Sequence, residues 1–195
     1  MASKRRVVVF DMDGTLTRSY LDFDRMREEI GVLAREPILE AMEKMPPPER
    51  ARAIAILKRY ETEAAANSEL QPGAAEVIAA VRTNGMPVVL MTRNTRKSVE
   101  VLQARHGIAF DMVLTREDGA IKPSPEPIFR ICRALEAEPS RAWTIGDYHY
   151  DIICGAAAGA TTVLLLDTKA ERPVWADQAD HVISELRELL PLLGI

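Results

Sequence analysis

The chain has 195 residues, 47% hydrophobic and 28% charged, with a net charge of −4. That is enough for one buried core with a small insertion, and it excludes collagen-like, disordered and disulfide-scaffold classes. The negative balance offers no general attraction to nucleic acid or to an anionic membrane.

Lys4, Arg5 and Arg6 precede the apolar run Val7-Val8-Val9-Phe10. The run is shorter than the roughly 7–15 residues of a secretory segment, and Asp11 closes it, so it is predicted as a strand. The stretch 18–70 then reads as helices only, at 22–31, 36–45 and 48–67. The third opens on prolines, where a missing N–H costs little, and carries Ile54, Leu57 and Ala64 or Ala65 near helical spacing. Gln71-Pro72-Gly73 punctuates a return to strand–helix alternation. A second strand, Val88-Val89-Leu90-Met91, ends at Thr92, with a helix expected over 95–105. Met112-Val113-Leu114 is a weaker strand, Trp143-Thr144-Ile145 ends at Gly146-Asp147, and Thr161 to Leu166 ends at Asp167. The uncharged span between Asp151 and Asp167 is shorter than the roughly 18 residues of a membrane helix, and glycines and threonines interrupt it.

Short, continuously apolar strands alternating with helices predict an α/β protein with a Rossmann-like parallel sheet covered on both faces. The division expected is an α/β core from 1–17 and 71–195, with a small all-helical cap, 18–70, inserted after the first strand as a lid. Ligands of such sheets bind outside the carboxyl ends of the strands, which singles out Asp11, Thr92 and Asp147. Cys132 and Cys154 are too few to staple the chain and read as reduced thiols of a cytoplasmic protein, Cys154 as a small core residue. The eight methionines read as core filler, and Trp143 and Trp175 as packing residues.

Asp11-Met12-Asp13-Gly14-Thr15 places two carboxylates at a strand end, where the turning chain lets both face one cavity. Such a pair suits a division of labour between a nucleophile or metal ligand and a proton shuttle. The segment resembles the first motif of the haloacid dehalogenase superfamily, and three others follow in that family's order. Leu90-Met91-Thr92 resembles the second, Lys122-Pro123-Ser124-Pro125 the third, and Gly146-Asp147-Tyr148-His149-Tyr150-Asp151 the acidic fourth. Gly155 and Ala158-Gly159-Ala160 fall as in subfamily I, whose members include phosphoglycolate phosphatase-like enzymes. Four motifs in order, each at a strand end or loop, make a specific signal.

The resemblance implies a Mg²⁺-dependent hydrolase of small-molecule phosphate monoesters that works through an aspartyl-phosphate. Asp11 would be the nucleophile, and Asp13 would protonate the leaving oxygen and then deprotonate water. Lys122 and Thr92 would offset and bind phosphoryl charge. Asp11, the backbone carbonyl of Asp13, and Asp147 would hold the metal, with Asp151 orienting metal-bound water or Lys122. Arg93, Asn94, Arg18 and Tyr20 are the candidates for substrate contacts. His149, between tyrosines, reads as a packing or rim residue. Tyr148 stands where many relatives carry serine, and narrows the mouth, touches the leaving group or packs on the surface. The expected partner is a small phosphorylated metabolite, with no nucleic acid or membrane, bound by a monomer or homodimer.

Asp13 argues against dehalogenation, which needs no acid two residues on. A sugar-phosphate mutase would keep the same core residues, and a phosphonatase would need a cap lysine, for which Lys44 and Lys58 are available. A phosphate sensor on the same scaffold would be expected to have lost some of Asp11, Asp13, Lys122 or Asp147, and none is lost. A receiver domain also gathers acids, Thr and Lys around magnesium, but the inserted lid and the Asp-x-Asp at the first strand argue against it. At about 50 residues the cap is shorter than the four-helix cap of phosphoglycolate phosphatase-like members, so a larger substrate or broader specificity is expected.

Overall fold

The structure, a computed structural model, describes residues 5–167 and 171–195; Lys4 and the first residues of the expected core segment lie outside them. Six parallel strands form one sheet in the order β3-β2-β1-β4-β5-β6. They are β1 (Val7–Phe10), β2 (Val88–Met91), β3 (Met112–Leu114), β4 (Ala142–Gly146), β5 (Thr161–Leu165) and β6 (His181–Ile183).

The apolar runs are continuous because both faces of the sheet are covered, and alternate residues serve opposite layers. Val8 and Phe10 of β1, with Val88 and Leu90 of β2, pack with α4 (Ala74–Thr83), α5 (Arg96–His106) and α8 (Leu189–Leu193). Val7, Val9, Val89 and Met91 point the other way, onto α6 (Glu126–Ala134) and α7 (His149–Ala158). Each such side chain, fully buried, contributes roughly 1.5–3 kcal/mol.

Between β1 and α4 lie α1 (Phe23–Ile30), α2 (Ile38–Glu43) and α3 (Pro47–Asn67). They enclose a cluster of their own: Met26, Ile38, Met42, Ala53 and Leu57. Helix α2 is shorter than the expected 36–45, because a residue preceding proline is driven from helical angles; Glu36 precedes Pro37, and Met45 precedes Pro46. On α3 the inward stripe is Ala53, Leu57, Glu61 and Ala64, and Ile54 is exposed. The segment's two ends run side by side: Arg18 N donates to the Glu69 carbonyl at 2.9 Å, Gln71 N to the Leu16 carbonyl at 2.8 Å, and Thr17 bridges Leu70. Helix α3 also ends against α5, where the Ser68 hydroxyl lies 2.9 Å from His106 Nε2 and Arg105 donates to the Ser68 carbonyl.

Strand β6 was not expected. It is a three-residue edge strand that begins on histidine and exposes Val182, so it carries no apolar run. Among the described residues, no helix is long and apolar enough to cross a membrane.

Candidate active site

The strand order reverses around β1, whose neighbours are β2 and β4. This switch point opens a crevice at the carboxyl ends of the strands. Phe10 is in register with Leu90 on one side and Ile145 on the other. The residues just beyond these strands, Asp11, Thr92 and Asp147, therefore emerge together and line one cavity of about 380 Å³ with Asp13, Asn94, Lys122 and Asp151.

Lys122 is buried with its ammonium between two carboxylates, 2.5 Å from Asp11 Oδ1 and 2.6 Å from Asp151 Oδ1. Burial alone would depress its pKa, but the charges of Asp11 and Asp151 outweigh it and hold the ammonium above the ordinary lysine value. The other oxygen of Asp151 accepts from Tyr148 N at 3.2 Å, capping α7. Asp13 Oδ2 accepts from Asn94 Nδ2 at 3.0 Å, and Asn94 N donates to the Thr92 hydroxyl oxygen at 3.0 Å. Burial raises the Asp13 carboxyl, with the Asn94 hydrogen bond and Lys122 opposing.

Asp147 accepts from the Thr15 hydroxyl at 2.9 Å. Only glycine fits at position 14: its φ is +92°, and a Cβ there would lie 2.2 Å from an Asp147 carboxylate oxygen. A Cβ on Gly146 would likewise meet Asp151 at 2.1 Å. The two glycines thus let the strand ends pass close beside the acids.

Ligand oxygens of Asp11, Asp147 and Asp151 lie within 4.8 Å of one another. Burial, then the charge of Asp151, pushes the Asp147 carboxyl up to about 7. Asp11 is raised well above the ordinary range by burial and by its acidic neighbours, with Lys122 opposing. Three acids facing one ammonium leave an excess of negative charge that resists ionisation. A hard divalent cation with oxygen ligands balances such a set, so the residues present fit one.

Arg93 lines the cavity, but its guanidinium is already held. One arm donates to the Lys122 carbonyl at 2.7 Å, the other to both oxygens of Glu40 on α2 at 2.7 and 2.8 Å, and it sits 4.8 Å over the Tyr150 ring. Arg116 makes a parallel link, donating to the Arg93 carbonyl at 3.0 Å and pairing with the buried Glu61 of α3. Sequence reasoning missed Glu40, Glu61 and Arg116. No local signal sets Glu40 and Glu61 apart from other helix glutamates, since their partners lie more than 50 positions away.

Arg18 and Tyr20 do not line the cavity; both turn to Glu69 outside it, Arg18 at 3.8 Å. Lys44 pairs with Glu36 at 3.4 Å, and neither it nor Lys58 borders the cavity, whose lysine is Lys122. His149 stacks on Trp175 with ring centroids 4.8 Å apart and meets Gln178 Oε1 at 2.9 Å, away from the acids. Cys154 is buried with its Sγ 3.0 Å from the Ser124 carbonyl, and burial pushes its thiol up to about 12, leaving it inert.

A parallel sheet with paired aspartates beyond its central strand, and a lysine-bridged acidic cluster at the switch point, defines an α/β enzyme working at the carboxyl edge. The chain belongs to the haloacid dehalogenase-like hydrolase family, whose model matches residues 8–165. It is similar to a haloacid dehalogenase-like hydrolase domain-containing protein of Arabidopsis thaliana, 32% identical over 98% of this chain and 84% of that one. It is 31% identical to pyrophosphatase PpaX of Bacillus mycoides, over 61% of this chain and 57% of that protein. In fold it is similar to a hydrolase from Pseudomonas syringae, with a TM-score of 0.81 at 16% identity, covering 97% and 98% of the two chains. CbbY from Rhodobacter sphaeroides, solved in complex with phosphate, gives a TM-score of 0.73 at 20% identity over 98% of this chain and all of that one.

Proposed function

We propose that this chain hydrolyses small phosphate monoesters, with Asp11 as nucleophile and Asp13 as the acid and base. The observation that carries the proposal is Asp13. It lies two residues from Asp11 on the same cavity and is held there by Asn94, and burial raises its carboxyl. Attack on carbon, as in dehalogenation, has no use for a proton donor there, whereas expulsion of an alkoxide from phosphorus does.

An Asp11 oxygen bonds to phosphorus as the bond to the leaving oxygen breaks, and Asp13 gives its proton to that oxygen. The product alcohol leaves, and Asp11 carries the phosphoryl group. Water then attacks phosphorus, Asp13 takes back a proton, and the bond to Asp11 breaks to release phosphate. Lys122 lowers the repulsion between Asp11 and the incoming dianion, and the Thr92 hydroxyl donates to a phosphoryl oxygen. Asp11, Asp147 and Asp151, with the Asp13 carbonyl, would hold Mg²⁺, which supplies charge neutralisation and alignment of the transferring group when bound. Asp151 fixes the Lys122 ammonium. Residues 18–70 act as the cap over this chemistry, with Glu40 and Glu61 docking it onto Arg93 and Arg116.

The proposal is supported by the family membership and by the geometry above. The name of the pyrophosphatase relative shows that phosphorus chemistry occurs among similar chains. Its test is turnover of p-nitrophenyl phosphate with and without Mg²⁺, beside Asp11→Asn. Mg²⁺-dependent turnover that disappears in the variant is expected. Turnover that survives in Asp11→Asn, or none in the unaltered protein, overturns it. Radiolabelled phosphate trapped on the protein and released to water, rather than passed to a sugar phosphate, separates a hydrolase from a mutase.

A further inference from the structure

The cavity has two walls of opposite chemistry. One carries the acids, Lys122 and the polar residues after β2; the other is built by the helical segment and is largely apolar, with Leu21, Phe23 and Leu39 partly exposed and the buried Met26, Ile38 and Leu57 behind them. Charge on that second wall is already spoken for where it is deep. Glu61 is paired with Arg116, and Arg27 donates to the Glu36 carbonyl and to Asp24. Arg35 is exposed. A small, highly charged ester or inorganic pyrophosphate would fill the polar wall and leave the apolar wall against water.

Aromatic residues make up only 5% of the chain, yet Phe23, Tyr148 and Tyr150 all border this cavity. The face of Tyr150 is covered by Arg93. Phe23 and Tyr148 are 45% and 57% exposed, large apolar surfaces in a cleft rather than in a core. The Tyr148 ring is held in place, edge-on to Tyr150 at 5.1 Å and to Trp175 at 6.2 Å. An aromatic side chain braced by its neighbours and open at the mouth of an apolar-walled cleft is a platform for a planar apolar group, which it binds by area burial and by ring stacking.

We propose that the substrate's leaving group is an aromatic alcohol, whose ring packs between Phe23 and Tyr148 against the apolar wall while its phosphate reaches Asp11. This names the substrate class of the site and rests on the phosphatase proposal for its chemistry, but not for its binding preference.

The test therefore reads binding and turnover separately. In the presence of Mg²⁺, 2-naphthylmethylphosphonate and propylphosphonate are titrated calorimetrically. They share a charged head on a saturated carbon and differ in the ring. The aromatic ligand is expected to bind roughly tenfold tighter, with the preference falling to about twofold in Phe23→Ala/Tyr148→Ala. Phe23→Leu, which keeps apolar area without a ring, is expected to fall between. In parallel, kcat/KM for 2-naphthylmethyl phosphate is compared with that for propyl phosphate, two primary-alcohol leaving groups of similar reactivity. Equal binding of the two phosphonates overturns the proposal, as does a preference that persists unchanged in the double variant. Preferential binding without turnover of either ester would sustain it and overturn the hydrolase reading instead; turnover of both esters at equal kcat/KM with equal binding would do the reverse.

Discussion

Asp11 and Asp13 are two residues apart in a single loop, and they meet different partners. Burial and its acidic neighbours raise the Asp11 carboxyl, and the Lys122 ammonium it touches opposes them. Asp13 is held by a neutral donor, the Asn94 amide, and burial dominates its titration. What distinguishes the two is the partner, an ammonium for the proposed nucleophile and a neutral amide for the proposed proton donor. The consequence can be measured through leaving-group dependence. Asp13→Asn keeps the shape and removes the proton, so kcat/KM for an alkyl phosphate, which reports transfer to Asp11, is expected to fall about 10²–10⁴-fold. The loss in kcat/KM for p-nitrophenyl phosphate should be much smaller, because nitrophenolate departs without a proton, whereas kcat falls for both where water activation limits turnover. Steady-state kinetics on both substrates checks this, and equal losses in kcat/KM would show that Asp13 acts by positioning alone.

At the scale of elements, two helices of the 18–70 segment are tied to one stretch of the sheet's edge by ion pairs of different burial. Glu40 on α2 is partly exposed where it meets Arg93, whereas Glu61 on α3 is buried against Arg116. Burial pushes the Glu61 carboxyl up, with Arg116 opposing. Breaking a buried pair leaves an uncompensated charge, which costs on the order of 3 kcal/mol, while a partly exposed pair contributes about 1 kcal/mol or less. Glu61→Gln is therefore expected to lower stability several times more than Glu40→Gln in urea unfolding; equal losses would contradict the ranking by burial. These pairs also mark where the sequence stops being legible. Strands β1 to β5 and the acids beyond them could be placed because strand runs and strand-end residues are local signals. The side chain of Arg93 could not: read beside Thr92 it looked like a substrate contact, and its partner Glu40 lies 53 positions away on another helix. Likewise Thr15, read only as part of a motif, is a donor to Asp147 because β4 lies beside β1. The limits of α2, in contrast, are marked in the sequence itself by Pro37 and Pro46.

At the scale of the whole molecule, the chain leaves the sheet after β1 and returns before α4 through two segments hydrogen-bonded to each other. Thr17 and Leu70 are adjacent in space although 53 positions apart. A short bridge can therefore replace residues 18–70 without stretching the core, since loop closure over such a gap costs little. The core's larger hydrophobic cluster draws on β1, β2, α4, α5 and the C-terminal helix, and the helical segment keeps its own separate cluster. What the excision removes is the apolar wall of the cavity, the Glu40 and Glu61 links, and the packing of α3 on α5, while Asp11, Asp13, Thr92, Lys122, Asp147 and Asp151 all remain on the core. A variant with 18–70 replaced by about four Gly/Ser residues is expected to fold cooperatively, at reduced stability, and to retain weak Mg²⁺-dependent turnover of p-nitrophenyl phosphate. Its discrimination between 2-naphthylmethyl and propyl phosphates should disappear. Circular dichroism melting and the ratio of the two kcat/KM values measure these outcomes. A chain that does not fold would show that the helical segment is part of the core's stability, and a folded chain that still discriminates would place specificity on the sheet's side of the cavity.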